Sequence, residues 1–171
     1  MSPRSWRSIC ALALVAAGGA ALVAQSLPTT QPKILTITRE RIKTGHDAAH
    51  VKTEVGWPAA YAQAKSPDYY LALASMTGPA EIWFLSPRDS YTAWGKTMES
   101  EAANPQLTAD LDRLWAADGE HLDGSDQIEA TAMPAFSQGA YPDLNRARFW
   151  RISMLRLRPG HEKQFADMIA V

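Results

Sequence analysis

Two histidines lie four residues apart in a segment rich in helix-forming residues. On a helix this spacing places the His46 and His50 imidazoles on one face, where they could hold a metal ion. The HxxxH pattern lacks the glutamate of zinc-peptidase motifs and no third ligand is evident, so we expect no metal site. Two roles then remain open for His50, a hydrogen-bonded core histidine or a catalytic group in a cleft.

Aromatic side chains are concentrated on the same segment and on the elements that follow it. The chain has 6 tryptophans and 5 tyrosines, enough either to fill a core or to line a pocket. A ligand-binding interpretation selects five of these side chains: Trp57, Tyr61, Tyr70, Trp83 and Trp94. Ordinary core packing is the alternative.

Other motifs with recognisable chemistry are absent. The acidic segment from Asp110 to Asp126 does not have the ligand spacing of an EF-hand calcium loop, and it is interpreted as a solvated helix face with a turn. Nucleophile elbows, phosphate-binding loops and dinucleotide fingerprints do not occur, so no cofactor is expected.

The first 24 residues have the pattern of a secretory signal peptide. Arg4 and Arg7 precede an apolar and small-residue run, Ile9–Ala24, without any acidic residue. That run is short for the roughly 20 residues that a membrane-spanning helix needs. We expect cleavage after Ala24, a polar leader over residues 25–32, and a periplasmic or extracellular protein without a membrane anchor; an uncleaved anchor is the alternative.

Composition narrows the function classes further. The single cysteine, Cys10, lies in the signal segment, so the mature chain would have no thiol for disulfides, catalysis or metal ligation. Loss of Arg4 and Arg7 would change the formal net charge from −1 to about −3. No basic stripe is present, and nucleic acid is not an expected partner.

The remaining sequence predicts one α+β unit. Alternation predicts a strand over 34–43, with Leu35 and Ile37 on one face and Glu40 on the other. The elements expected after it are a helix over 46–65 kinked near Trp57, strands over 69–76 and 80–85, helices over 90–103 and 105–121, and a strand over 127–133. This order is that of a ferredoxin-like split βαβ fold, a four-stranded antiparallel sheet with helices on one face.

The end of the chain repeats its beginning. A shift of 115 residues aligns RIKTGHDAAH with RLRPGHEKQF, placing Gly45 on Gly160, His46 on His161 and His50 on Phe165. Internal similarity of this kind indicates a repeated structural unit. We therefore expect residues 148–171 to be the first strand and helix of a second, truncated unit, joined to the first unit (33–134) by a linker over 135–147.

Three features follow one another in this repeat: a strand, a basic-x-Gly-His turn, and a helix with an aromatic residue five positions after the glycine. Together they resemble the antibiotic biosynthesis monooxygenase-like group of the dimeric α+β barrel superfamily. Residues 33–171 are similar to secreted bacterial proteins with two such units. The resemblance implies that two ferredoxin-like sheets pack face to face, in a homodimer or with the rest of a second repeat. It also implies a ligand cleft between helix and sheet, into which His50 would point.

Three functions remain open from the sequence. The first is an exported protein that binds a small apolar or aromatic ligand in the helix–sheet cleft. The second, implied by the resemblance, is a cofactor-independent monooxygenase-like enzyme with His50 as its catalytic residue. The third is an interaction module that pairs through the open face of its sheet.

Overall fold

The computed structural model describes residues 30–169 of the 171-residue chain. The predicted signal peptide and residues 25–29 of the predicted leader lie outside the described residues. None of the helices within residues 30–169 is long and apolar enough to cross a membrane.

Four antiparallel strands form one sheet in the order β2-β3-β1-β4. The strands are β1 (Ile34–Ile42), β2 (Leu71–Ala74), β3 (Glu81–Arg88) and β4 (Leu122–Thr131). Strand β1 is central and pairs with both β3 and β4. The predicted ferredoxin-like α+β arrangement is confirmed.

The predicted first helix is divided in two at Val55, giving α1 (Asp47–Glu54) and α2 (Gly56–Ala64). A Cβ atom added at Gly56 would lie 2.5 Å from Leu114 Cδ2, so a residue without a side chain allows the junction to approach α4. Pro58 lies in the first turn of α2, where its missing N–H has no intrahelical partner to lose.

Two further helices begin at side-chain caps. Ser90 Oγ accepts a hydrogen bond from Ala93 N at the start of α3 (Tyr91–Ala102). Asn104 Oδ1 accepts one from Leu107 N at the start of α4 (Pro105–Gly119), and proline occupies the first helical position. The Asn104 cap fixes where α4 begins and therefore which residues of α4 face the interior.

Strands β3 and β4 are longer than their sequence signals predict. Ser86-Pro87 continues β3 into a region where only β1 pairs with it, which tolerates proline. Asp123-Gly124 does not form the expected turn but lies within β4, beside Arg41 of β1. A Cβ atom at Gly124 would collide with the Arg41 guanidinium, which in turn forms an ion pair with Asp126.

The apolar core lies mainly between α2 and α4. Its buried members are Trp57, Ala60, Leu107 and Leu114, and Leu111 packs against them. The leucines of α4 therefore form its core-facing side, whereas Trp115 at the edge of that side is 52 % exposed.

The two faces of β1 differ as the alternation predicts, but the polar face is the one covered by helices. Glu40 is buried against α1, whereas Arg39 on the opposite face contacts Glu81 and approaches Met154 Sδ at 3.8 Å. The apolar residues Leu35 and Ile37 thus belong to the face without helices. Residues 141–152 of the same chain border part of this face, where they line two cavities together with residues of β1, β2 and β3.

The second copy of the repeat forms its turn and helix but not its strand. Helix α5 (Glu162–Ile169) has the bounds that the 115-residue shift gives from α1, and the preceding glycines have φ values of +83° at Gly45 and +84° at Gly160. Residues 148–158 form neither a helix nor a strand. The predicted strand near 149–157 is absent because this segment pairs with no strand of the described sheet. The predicted linker contains two short 3₁₀ turns, Pro134–Phe136 and Leu144–Arg146.

Candidate functional site

Four ionisable side chains from three elements meet between the sheet and the helices. They are Glu40 of β1, His50 and Glu54 of α1, and Asp118 of α4. His50 and Asp118 are fully buried, and Glu40 is nearly so. We call these four residues the His–carboxylate cluster.

The imidazole is the centre of the cluster. His50 Nε2 lies 3.1 Å from Glu40 Oε2, 3.2 Å from Asp118 Oδ1 and 3.9 Å from Glu54 Oε1. Only the contact with Glu40 has hydrogen-bond geometry. Asp118 is close enough for an ion pair, yet neither of its oxygens accepts an N–H or hydroxyl hydrogen bond from the described residues. One ring nitrogen therefore faces three carboxyl groups.

Burial and mutual repulsion raise the carboxyl pKa values. The pKa of Glu54 rises to about 8, first because the group is buried and then because Glu40 and Asp118 repel its negative charge. Burial also raises the pKa of Glu40, with the Asp118 charge adding to the rise and the His50 hydrogen bond opposing it. The pKa of Asp118 is raised by burial, while His50 and His121 oppose the rise.

His46 does not join His50. Its Nδ1 lies 3.1 Å from Nδ1 of His121, and the two ring centroids are 5.3 Å apart. The HxxxH spacing thus does not create a two-histidine site. The fold instead brings three acids to His50, a constellation that the expectation of no metal site did not consider.

A small cleft adjoins the cluster. Its cavity of about 130 Å³ shares Glu40 and Glu54 with the cluster. The other lining residues are polar residues of two strands and aromatic residues of the helices and the sheet: Thr38, Ser86, Trp57, Tyr61, Tyr70, Phe84 and Trp115. Two edge-to-face ring pairs stiffen the walls, Trp57 with Trp115 at 5.0 Å and Tyr70 with Phe84 at 5.5 Å between centroids.

Three of the five predicted ligand-binding residues line this cleft: Trp57, Tyr61 and Tyr70. The other two lie elsewhere. The Trp83 ring lies under the Arg39 guanidinium on the opposite sheet face, and Trp94 lies under that of Arg88. His50, the predicted catalytic residue, lies next to the cleft without lining it, and its Nδ1 has no hydrogen-bond partner among the described residues.

The repeat supplies an internal comparison for the cluster. The 115-residue shift aligns Glu40 with Leu155, His50 with Phe165 and Glu54 with Ile169. The same strand and helix pattern thus carries three apolar residues in one copy and three ionisable residues in the other. The turn and the helix thus form in both copies, whereas the strand and the buried polar group occur only in the first copy.

Comparisons with known proteins found similar solved structures but no matching sequence. No protein-family model matches the sequence, and no curated protein matches it. Similar solved structures include an uncharacterised NIPSNAP domain protein from Burkholderia xenovorans, which is 16% identical with a TM-score of 0.48, over 59% of this chain and 95% of that one. A NIPSNAP family protein from Agrobacterium tumefaciens is 14% identical with a TM-score of 0.46, over 59% and 93%. An antibiotic biosynthesis monooxygenase is 14% identical with a TM-score of 0.44, over 59% and 99%.

The sheet order and its antiparallel pairing define the class of this protein by themselves. It is an α+β protein of ferredoxin-like topology, with helices on one side of a sheet that is not closed into a barrel.

Proposed function

We propose that this is an exported protein that binds a small aromatic molecule with a hydrogen-bond donor in the cleft beside the His–carboxylate cluster. The observation that supports binding is the cleft itself, whose aromatic walls lead to two partly or fully buried carboxyl groups, Glu40 and Glu54. Pockets of this composition, apolar with a few convergent polar groups, are typical ligand sites.

Size restricts the ligand to about one ring. An apolar cavity of about 150 Å³ accommodates benzene, and the cleft offers about 130 Å³. The ring would pack against Trp115 and Phe84, while a phenol or arylamine group would donate a hydrogen bond to Glu40 or Glu54. Above about pH 8, where the Glu54 carboxyl is ionised, a carboxylate on the same ring would be repelled by it.

Binding of phenol and aniline is expected to be measurable by calorimetry with the mature chain, and above about pH 8 benzoate is expected to bind at least about tenfold more weakly, a difference of about 1.4 kcal/mol. Trp115→Ala should weaken phenol binding by roughly three- to tenfold, the range of a lost aromatic contact. Trp94→Ala is the matched control, because Trp94 lies outside the cleft. Equal binding of benzoate and phenol, or equal loss in both variants, would contradict the proposal.

Export is supported by Arg4 and Arg7 followed by the apolar run Ile9–Ala24. Mass spectrometry of the protein recovered from a secreting host should show an N-terminus near residue 25. Recovery only of chains that still begin at Met1 would argue against cleavage.

Pairing through the open sheet face is a second candidate function, and it is favoured by the apolar surface opposite the helices. Leu35, Ile37 and Ile128 lie on that surface, and Ile128 is 37 % exposed although it belongs to a sheet. Residues 141–152 of the chain itself border other parts of this face, but Ile37 and Ile128 line neither of the cavities found there. The occupant we propose for the region around these two residues is a second copy of this chain, because an isologous contact would bury the same apolar side chains of both copies.

Self-association should therefore be detectable by sedimentation velocity over a range of protein concentrations. Ile128→Glu is expected to weaken it at least about tenfold, since a buried, unpaired carboxylate would have to be desolvated. Val51→Glu, an equally charged change on the exposed surface of α1, is the control. A monomer at all concentrations, or equal weakening by both variants, would refute pairing through this face.

A further inference from the structure

The His–carboxylate cluster places three acids around one imidazole nitrogen. If His50 carries its proton on Nε2, that single N–H serves Glu40, and the Asp118 carboxylate 3.2 Å away is left without it. If the proton is on Nδ1, the Nε2 lone pair faces three carboxyl groups. Asp118 is 0 % exposed, and it accepts no N–H or hydroxyl hydrogen bond within residues 30–169; its neighbour at hydrogen-bonding distance is another acid, the Glu54 carboxyl. Buried acids that face one another in this way call for a shared proton or for a metal cation.

The distances match those between ligands of a single metal ion. Zinc binds imidazole nitrogen and carboxylate oxygen at about 2.0–2.2 Å, so ligands of a tetrahedral site lie roughly 3.3 Å apart. The three contacts of His50 Nε2 measure 3.1, 3.2 and 3.9 Å. One ligand atom from each of the four residues lies within 4.8 Å of all the others. Small side-chain rotations would therefore place all four atoms around one ion.

The elements that supply the ligands hold them from three directions. Glu40 comes from the central strand β1, His50 and Glu54 stand one turn apart on α1, and Asp118 comes from the last turn of α4. The aligned positions in the second copy, Leu155, Phe165 and Ile169, contain no ligand atom. The ligand set is thus confined to the copy whose strand lies in the sheet.

We propose that Glu40, His50, Glu54 and Asp118 bind one divalent transition-metal ion, with Zn²⁺ as the best match. One nitrogen and three oxygens in a closed, buried set suit four-coordinate zinc, whereas Ca²⁺ requires 6–8 oxygen ligands and Mg²⁺ keeps several waters. With neutral His50, the ion reduces the charge of three carboxylates by two. The site shares Glu40 and Glu54 with the cleft, and zinc binding there does not require a ligand in the cleft.

Zinc binding by the mature chain, freed of metal with a chelator, tests the proposal. Competition with a chromophoric chelator should show one Zn²⁺ per chain, and Zn²⁺ should raise the thermal midpoint while equimolar Ca²⁺ or Mg²⁺ does not. Asp118→Asn and Glu40→Gln should each weaken zinc binding at least about 100-fold, because loss of even an outer-shell partner costs 10–100-fold. Co²⁺ should give the visible absorption of a tetrahedral site in the wild type and not in these variants.

Two controls separate this site from other ligands on the chain. Asp112→Asn changes an exposed acid on the same helix as Asp118, and His46→Gln removes the His46–His121 pair; both should bind zinc as the wild type does. Circular dichroism confirms that each variant is folded. Absence of zinc uptake by the wild type would show that protons alone neutralise the cluster. Wild-type zinc affinity in Asp118→Asn, or loss of zinc binding in His46→Gln, would place the ion elsewhere. Each of these results overturns the proposal. Phenol binding without zinc binding would leave the cleft proposal intact.

Discussion

Replacement of His50 by alanine is expected to lower the free energy of unfolding by about 3–5 kcal/mol in metal-free buffer, the combined effect of a cavity and of a buried acid left without its hydrogen-bond partner. His50 is fully buried and supplies the ring nitrogen that faces the three carboxyl groups. Its loss leaves Glu40 without its hydrogen-bonded partner and opens a cavity. Urea denaturation at neutral pH, with a chelator present, measures the change.

Two variants show whether the charge or the volume of His50 matters. His50→Gln keeps a donor of similar length and should lose clearly less stability than His50→Ala. Val51→Ala, at the neighbouring exposed position on α1, should change the free energy of unfolding by no more than about 0.5 kcal/mol. If His50→Ala falls in the same small range, the carboxyl groups do not depend on the imidazole.

The sheet and helices were largely predictable because local signals agreed with the tertiary structure. Alternation marked β1, and the cap-then-proline order of Asn104-Pro105 marked the start of α4. The misplaced boundaries are those at which a turn-like dipeptide is held in a strand. Gly124 remains in β4 because it pairs with β1 and leaves room for the Arg41 side chain, an interaction between residues far apart in sequence.

The site was only partly predictable, although its signals were present. Comparison of the two copies identified His50 opposite Phe165, and the same alignment places Glu40 opposite Leu155. Asp118 continues the spacing of Leu107, Leu111 and Leu114, so it is an acid on an otherwise apolar helical stripe. Each of these observations, Glu40 opposite Leu155 and Asp118 on a leucine stripe, indicates a buried carboxyl group. Neither observation indicates that Glu40 and Asp118 lie close together.

The aromatic residues illustrate what alternation cannot decide. Trp83 and Phe84 are neighbours on β3 and must point to opposite faces. Register with β1 places Phe84 beside Thr38 on the helix-covered face, and Trp83 beside Arg39 on the other. Since that covered face of β1 is polar, the usual rule that helices cover the apolar face selects the wrong side.

Replacing the whole cluster by apolar residues should have the opposite effect to removing His50 alone. The change Glu40→Leu, His50→Phe and Glu54→Ile copies the aligned residues Leu155, Phe165 and Ile169, and Asp118→Val removes the remaining acid. Substitution of a complete buried ionic group by hydrophobic residues of similar volume is often stabilising by about 1–4 kcal/mol. We expect a gain in this range in metal-free buffer, because the variant avoids desolvating three carboxyl groups.

The comparison between this quadruple variant and His50→Ala separates stability from function. If the cluster existed to hold the fold together, both changes would lower the free energy of unfolding. If it is a site maintained at a cost in stability, His50→Ala lowers that free energy while the quadruple variant raises it and no longer binds zinc. Urea denaturation of both variants, with and without Zn²⁺, gives the answer: zinc should stabilise the wild type and leave the quadruple variant unchanged. A quadruple variant less stable than metal-free wild type by more than about 1 kcal/mol would instead show that the polar cluster is a structural element of this fold.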